Sequence, residues 1–481
     1  MKLTIVGGGT SGLVSALILK KKLPAYDIQI IESPTIPIVG VGEGSTEHWK
    51  IFCNECEIDI NTLVKETDAT HKYGIRFENW TNPVPDYFHS IGYYEIIDDA
   101  IPVYDYLNAN GKLLTNMLTN PAFIENKIMD TDDIHSNTNQ YHFDTFKLNN
   151  FLHKLVAERN IKIIKADITD CELDPNTGYI KTLITTFGNY ECDFVVDTTG
   201  FAGKIMSLLG NDSWFSYSDF LPMNTAIPFP TASDSSGEIR PYTRARAASA
   251  GWIWEIPTQS RRGNGYVYSS NYLSDDQAIN EIYKMTNIKL DNPRIIKYNS
   301  GYLKEQWYKN CVAIGLSSSF LEPLEATSIS TSIQQSRLLS TFLSSYQFGD
   351  NASIKRYNNI MDQFHDNLVS MIALHYVTDR TDTAFWRSTK DLVKPKLLTN
   401  LLELWKERSP RRNDIDHTGY ELFQVAHFWH VAQGQNIISP EISAKSLFSS
   451  GKLEYAQTKV KEIRQEFIVR KTIHHHEIFK R

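Results

Sequence analysis

What this chain of 481 residues lacks narrows its possible roles. Cysteine is scarce: Cys53, Cys56, Cys171, Cys192 and Cys311 are an odd number scattered along a long chain, so no disulfide framework is expected. Cys53 and Cys56 form a C-x-x-C, but no second pair and no matching histidine cluster accompanies it, which leaves structural or incidental cysteines as the expectation. A cationic surplus is also missing. Acidic residues outnumber basic ones 56 to 49, a formal net charge of −7, and no stripe of Lys and Arg interleaves with aromatics, so nucleic acid is not an expected partner. No uninterrupted apolar run approaches the roughly 20 residues that cross a bilayer, and none is expected to enter a membrane. The opening MKLTIVGGG meets glycines after four apolar or β-branched residues, which does not read as a signal peptide; cytoplasmic location is the default expectation. Repeats, low-complexity tracts and obvious linkers are absent, and 41% hydrophobic with 22% charged residues are globular values that exclude a disordered or fibrous chain. The triplet His474 to His476 has no other His or Cys near it at ligand spacing, so it reads as a solvated terminal feature and no metal site is expected.

What is present has an order. Residues 3–6 read as a short buried strand, the glycines after them open a helix near SGLVSALILKKKL, and YDIQIIES reads as a second strand, giving β-loop-α-β. That is half of a doubly wound sheet. Residues 141–165 give a helix and the strand IKIIKAD; GYIKTLITTFGNYECDFVVDTTG then alternates as two or three strands with turn chemistry at Gly188–Asn189, all expected to return to the same sheet. Between roughly 210 and 300 strands and aromatics dominate, with turns expected at Ser235–Glu238 and Arg261–Gly265. From about residue 328 helical periodicity takes over, with AKSLFSSGKLEYAQTKVKEIRQEFIV as its last stretch.

The stretch GGGTSG places Gly7, Gly9 and Gly12 in G-x-G-x-x-G spacing, directly after a strand and opening a helix through Thr10 and Ser11. Glycines there permit a tight turn and let helix N-terminal amides reach a pyrophosphate. Glu32 ends the second strand about 20 residues further on, where an acid takes ribose hydroxyls and disfavours a 2′-phosphate. One such motif, together with the glycine-ended strands at Asp197–Gly200 and Val312–Gly315, favours an elongated FAD over NAD, with Gly200 and Gly315 as further backbone contacts.

Four separated stretches resemble the flavin-dependent halogenases of the tryptophan-halogenase type. GGGTSG followed by GVGEGST (Gly40, Val41, Gly42, Glu43, Gly44 and on to Thr46) is similar to the family's flavin-contacting loops. THKYGIRFENW puts Lys72 at the place of its catalytic lysine, and GWIWEIP matches the W-x-W-x-I-P signature through Trp252, Trp254, Ile256 and Pro257. FLEPLEATSI resembles the family's LEPLESTSI, with Glu325 on the catalytic glutamate and Thr327 and Ser328 where backbone amides bind halide. Ala326 departs from the family's serine, a link between its flavin and halide sites, while Glu322 is expected to order the loop.

The resemblance implies an FADH2-dependent halogenase. In such enzymes O2 and a halide ion become hypohalous acid, which travels a tunnel to a lysine and then to an electron-rich aromatic or heteroaromatic small molecule. A lysine amine can hydrogen-bond that oxidant or capture it as a haloamine. A carboxylate such as Glu325 can take the arene proton. The two tryptophans are expected to shape the space between flavin and tunnel.

On the substrate side PDYFHSIGY resembles an indole-clamping segment through His89, but Ile91 stands where the family has an aromatic, which argues against free tryptophan. Iodide and bromide are easier to oxidise than chloride, and the altered halide loop leaves room for a larger anion. The implied fold is α/β, an FAD-binding Rossmann-type doubly wound sheet of the flavin-monooxygenase kind, with an inserted β-rich substrate region. The expected organisation is an FAD-binding box over 1–345, insertions near 81–140 and 210–300, and a mainly helical part over 346–481. A separate flavin reductase is the expected partner, since no second nucleotide motif for NAD(P)H is evident, and self-association is left open. The competing readings are a hydroxylating flavin monooxygenase and a flavin-fold binding protein without turnover.

Overall fold

The computed structural model describes residues 1–38, 40, 43–82, 86–90, 100–112, 121–131, 133–135, 138, 140–233, 237–347 and 349–480. Two compact units are interleaved along the chain. The first comprises Met1–Asp68, Phe143–Ser216 and Asn299–His365. Its frame is a six-stranded sheet in the order Trp307–Tyr308, Cys311–Ala313, Phe194–Asp197, Lys2–Val6, Asp27–Glu32, Lys162–Lys165. All neighbours run parallel except the antiparallel edge strand Trp307–Tyr308. Leu3 to Val6 and Phe194 to Asp197 are buried throughout, as strands covered on both faces must be. The helix Thr10–Lys22 follows the first strand and buries an unbroken run from Gly12 to Leu19. Packed on it is Ser328–Leu343, and hydroxyl pairs at Ser11–Ser332 and Ser15–Ser336, each 2.9 Å, let the two helices approach through small polar contacts.

Two expectations for this unit change. Lys162–Lys165 and Phe194–Asp197 do return to the main sheet, but Ile168–Leu173, Ile180–Thr185 and Gly188–Glu191 form a three-stranded antiparallel sheet of their own. Their alternating exposed residues cannot sit in a sheet with helices on both faces. The turn falls on Thr186 and Phe187, since Thr185 pairs with Gly188, and Gly188 with Asn189 already belong to the strand.

The second unit comprises Ala69–His142, Tyr217–Tyr298 and Asp366–Arg481. Its main sheet runs Ile296–Lys297, Thr225–Pro228, Arg261–Tyr268, Gly251–Pro257, Thr243–Ala247, Gly74–Glu78, Asp86–Ser90, with Thr231–Ala232 added beside Arg261–Tyr268. The turn expected at Arg261–Gly265 is not one. Those residues lie inside a strand, and Gly265 faces Trp254, whose ring would stand 1.9 Å from any Cβ there. Glycine is required so that the indole can lie on the neighbouring backbone. The turn at Ser235–Glu238 begins outside the described residues. The last helical stretch is two helices, Pro440–Ser450 and Leu453–Val469, because Gly451 takes φ +65° and ends the first.

Asp197 ties the end of its strand to the following chain. Its carboxylate accepts from the amides of Thr199, Ile205 and Met206 and from the Thr199 hydroxyl, at 2.7–3.0 Å, and is fully buried. Burial lifts this carboxyl above its ordinary value even though the four donors oppose the shift. Asp197→Ala leaves four donors unpaired, two of them the buried amides of Ile205 and Met206, and urea unfolding should show a loss of about 3 kcal/mol.

Candidate active site

The glycine loop of the first unit divides its glycines by task. A Cβ at Gly7, which sits at φ +123°, would meet the Thr198 carbonyl at 2.4 Å, and one at Gly12 would meet the Gly7 carbonyl at 2.1 Å. Those two close the turn. At Gly9 and at Gly200 a Cβ would meet nothing within 4 Å, so both present bare backbone to open space. Helix Thr10–Lys22 begins at Gly9 with no side-chain cap and no acid in its first turn, leaving its leading amides for an anion. Gly315, at φ +71°, stands where a Cβ would lie 2.2 Å from the Ser11 hydroxyl, and its amide donates to Gln335 at 2.9 Å. Gly40 touches Thr145, whose methyl a Cβ would approach to 2.2 Å. These residues fit a pyrophosphate-bearing dinucleotide such as FAD. Val41 and Gly42 lie outside the described residues. Glu43 and Gly44 form a short strand, and burial pushes the Glu43 carboxyl up to about 7.

Glu32 lies against the loop, its Oε2 only 1.5 Å from where a Gly8 Cβ would stand. Two residues that motif reading missed hold it there. Asn149 and His153 are four apart on the helix Thr145–Glu158: Asn149 donates to the Gly8 carbonyl at 3.0 Å and His153 Nε2 to Glu32 at 2.9 Å. His153 Nδ1 faces the Asn149 carbonyl at 3.0 Å, so both ring nitrogens point at acceptors, an arrangement that favours the doubly protonated ring. Lys165 adds a second cation against Glu32. Burial works to raise the Glu32 carboxyl, but hydrogen bonds from His153 and Lys165 outweigh it and hold the group below its ordinary value. The Glu32 hydrogen bond in turn raises His153. The signal available in sequence was the i, i+4 spacing of two polar residues beside the apolar face of a helix.

A raised histidine stabilises the fold below its unfolded pKa, about 6.5, and loses that contribution as pH climbs through its higher folded value. The stability gap between the native chain and His153→Ala, measured by urea unfolding, should therefore be widest below about pH 6.5 and narrow as pH rises above it.

Further along the first unit, Pro323–Glu325 is a single 3₁₀ turn and Ser328–Leu343 the helix that follows. Glu322, Glu325 and Thr327 are buried, whereas Ser328 is exposed. Ala326 joins the two elements with φ +55°, ψ 43°, a left-handed conformation that costs an alanine about 1 kcal/mol. It turns the chain so that the helix starts at Ser328, preceded by Thr327, whose side chain makes no cap. The hydroxyl residues beyond have their own task. Ser330 meets Thr46 at 2.7 Å, and Ser332 and Ser336 meet the glycine helix.

Lys72 and the signature strand belong to the second unit. Lys72 ends the strand Thr70–Lys72 and is 2% exposed. That strand pairs antiparallel with residues 140–142, Thr70 opposite His142 and Lys72 opposite Gln140. Thr70 donates its hydroxyl to the Pro257 carbonyl at 2.7 Å, and Gln259 donates to the Ala69 carbonyl at 2.8 Å. These bonds fasten the lysine strand to the end of Gly251–Pro257, a strand buried at every residue including Ile256. Trp252 and Trp254 pack with ring centroids 6.1 Å apart, and Trp80 reaches Trp252 at 6.3 Å. His142 lies between the hydroxyls of Thr70 (3.1 Å) and Thr243 (2.9 Å). Burial, reinforced by the Lys72 charge, holds that imidazole neutral. Lys72 is thus a buried amine whose neighbouring strand carries a neutral histidine, not a surface lysine.

His89 is fully buried opposite Ile75, and the helix Val425–Gly434 surrounds it with His427 at 5.4 Å and His430 at 6.1 Å between ring centroids. Ile91 lies outside the described residues. All five cysteines are free, and burial lifts Cys56 to about 12 and Cys53 well above its ordinary value, so the C-x-x-C holds no thiolate. His474 to His476 is not solvated as expected, for His475 is fully buried.

A protein-family model described as "Tryptophan halogenase" matches residues 2–447. The chain is 30% identical over 431 residues to the tryptophan 7-halogenase RebH of Lentzea aerocolonigenes, covering 81% of this chain and 79% of that protein. It is 29% identical over 451 residues to the tryptophan 6-halogenase SttH of Streptomyces toxytricini, covering 86% and 85%. Among solved structures it is similar to BrvH, a flavin-dependent halogenase from Brevundimonas sp. BAL3, with a TM-score of 0.85 at 28% identity over 100% of this chain and 99% of that one.

Proposed function

From the premise that this chain belongs to the tryptophan halogenase family and is a flavin-dependent halogenase, we propose that an oxidised halogen passes to Lys72 and on to an electron-rich aromatic or heteroaromatic small molecule. The observation that carries this reading is the bond from Thr70 to Pro257, which joins the lysine strand to the W-x-W-x-I-P strand. Reduced FAD, when bound, supplies the two electrons with which O2 oxidises halide to hypohalous acid and water. Gly7, Gly9, Gly12 and the amides of Thr10 and Ser11 hold the pyrophosphate, Glu32 the ribose, and Gly40, Glu43, Gly44, Gly200 and Gly315 the remaining length. Thr327 and Ser328 offer their amides to the halide at the start of an uncapped helix.

Lys72 restrains the electrophile by hydrogen bonding through Nζ, or as a haloamine formed with loss of water. The carboxylate of Glu325 takes the proton that leaves the arene carbon as halogen adds. Trp252 and Trp254 exclude water, which would otherwise hydrolyse or divert the oxidant. His89, with His427 and His430, belongs to the substrate side. A separate reductase supplies the reduced flavin, and no helix among the described residues is long and apolar enough to cross a membrane, which suits a cytoplasmic enzyme. Hydroxylation is not favoured by the family, and a binding protein without turnover has no use for a buried lysine beside this signature strand.

With reductase, NADH, FAD and halide present, Lys72→Ala should yield no halogenated arene by mass spectrometry while flavin oxidation continues at the native rate. Glu325→Gln should lower product by about 100-fold, the usual weight of a general base. In parallel reactions on one phenol, bromide should outpace chloride; strict chloride preference would remove any role for Ala326 in admitting the larger ion.

A further inference from the structure

Lys72 ends a strand of three residues, and the residues on either side of it, His71 in the strand and Tyr73 just after it, face the other way with their rings 6.4 Å apart. Those two are covered by the end of the chain. His71, fully buried, bonds through Nε2 to His135 Nδ1 at 2.9 Å, and its ring lies 5.6 Å from His475 and 5.5 Å from Phe479. Tyr73 packs in a cluster with Phe123, Ile473, Ile478 and Phe479.

The covering segment is itself anchored at several points. Thr472–His474 pairs antiparallel with Lys127–Met129. The amide of Asp130 donates to the Lys471 carbonyl at 2.9 Å, and that of His475 to the Asn126 carbonyl at 2.9 Å. His475 is fully buried, and its Nδ1 donates to the Ile239 carbonyl at 3.2 Å. Burial pushes the His475 imidazole down to about 3, so the ring is neutral and packs as an aromatic plate. The covering segment, residues 471–479, lies beyond residue 447, where the family match ends, while its partners at 126–130 and Ile239 lie within it.

We propose that His475 is a positioning residue for Lys72, its ring filling the underside of the strand Thr70–Lys72 so that the amine on the opposite face keeps one position. The inference rests on the reading of Lys72 as halogen carrier. A lysine has a flexible four-carbon stem, so the place of its nitrogen depends on where the backbone beneath it is held. Thr70 is fixed by its bond to Pro257, and Tyr73 by its amide donating to the Pro241 carbonyl at 2.8 Å. His71 lies between these two fixed points, and His475 and Phe479 decide how far the strand can sink there. Displacement of a reacting group by about 1 Å costs about 100-fold in rate.

The test compares His475→Ala, His475→Leu and His475→Phe as full chains with reductase, bromide and a phenol, reading brominated product per flavin oxidised. His475→Ala and His475→Leu should lower that ratio by about 10-fold. Flavin oxidation and the KM for the phenol should stay unchanged. His475→Phe, which keeps the ring, should restore most of the ratio. Thermal melting separates the alternatives, and if His475→Ala does not fold, the Leu and Phe pair decides. A lowered Tm with an unchanged product ratio gives His475 a structural part only and overturns the proposal. Product from Lys72→Ala would overturn the halogen-carrier reading and this inference together, whereas unchanged ratios in the His475 variants overturn this inference alone.

Discussion

The hydrogen bond from the Thr70 hydroxyl to the Pro257 carbonyl sets how the second unit can work. It ties a short strand ending in a buried amine to a long strand carrying two indoles. A hypohalous acid reacts with nearly any electron-rich group, so its useful fate depends on an enclosure that presents one nucleophile at one place. In the proposed role Lys72 needs a fixed backbone, and His142, on the strand paired with it, is kept uncharged by burial.

In the first unit the same economy of position appears around a different charge. The glycine loop leaves helix amides bare toward the cofactor while Glu32 is pressed against Gly8 between His153 and Lys165. Two cations around one carboxylate keep it ionised and oriented before any ribose arrives, so less ordering is left for the binding step. The serine pairs between the glycine helix and Ser328–Leu343 connect this cradle to the loop of Glu325 and Ala326. A change at either end therefore travels through packed, hydrogen-bonded helices.

Much of this was legible in the sequence wherever a backbone requirement leaves a residue signature. The spacing of Gly7, Gly9 and Gly12 and the acid at Glu32 reflect local geometry that few residues satisfy, whereas the W-x-W-x-I-P strand stood out through its resemblance to a family signature. Partnership over distance was not legible. Alternation marked Ile180–Thr185 as a strand but could not say which strand it joins, and Gly265 looked like a turn residue because nothing local reveals the indole lying on it. Asn149 and His153 carry no motif. His475 looked like part of a solvated tail because its partner, His71, stands near the other end of the chain.

The most direct measurement separates oxidation from transfer in time. Reduced flavin, O2 and bromide are given to the protein without substrate, the flavin is allowed to reoxidise completely, small molecules are removed by gel filtration, and a phenol is then added. If Lys72 holds the halogen, brominated phenol forms from the native chain and none from Lys72→Ala. If delayed addition gives no product from the native chain while simultaneous addition does, no haloamine is stored on Lys72 and the claim of a covalent halogen carrier is wrong.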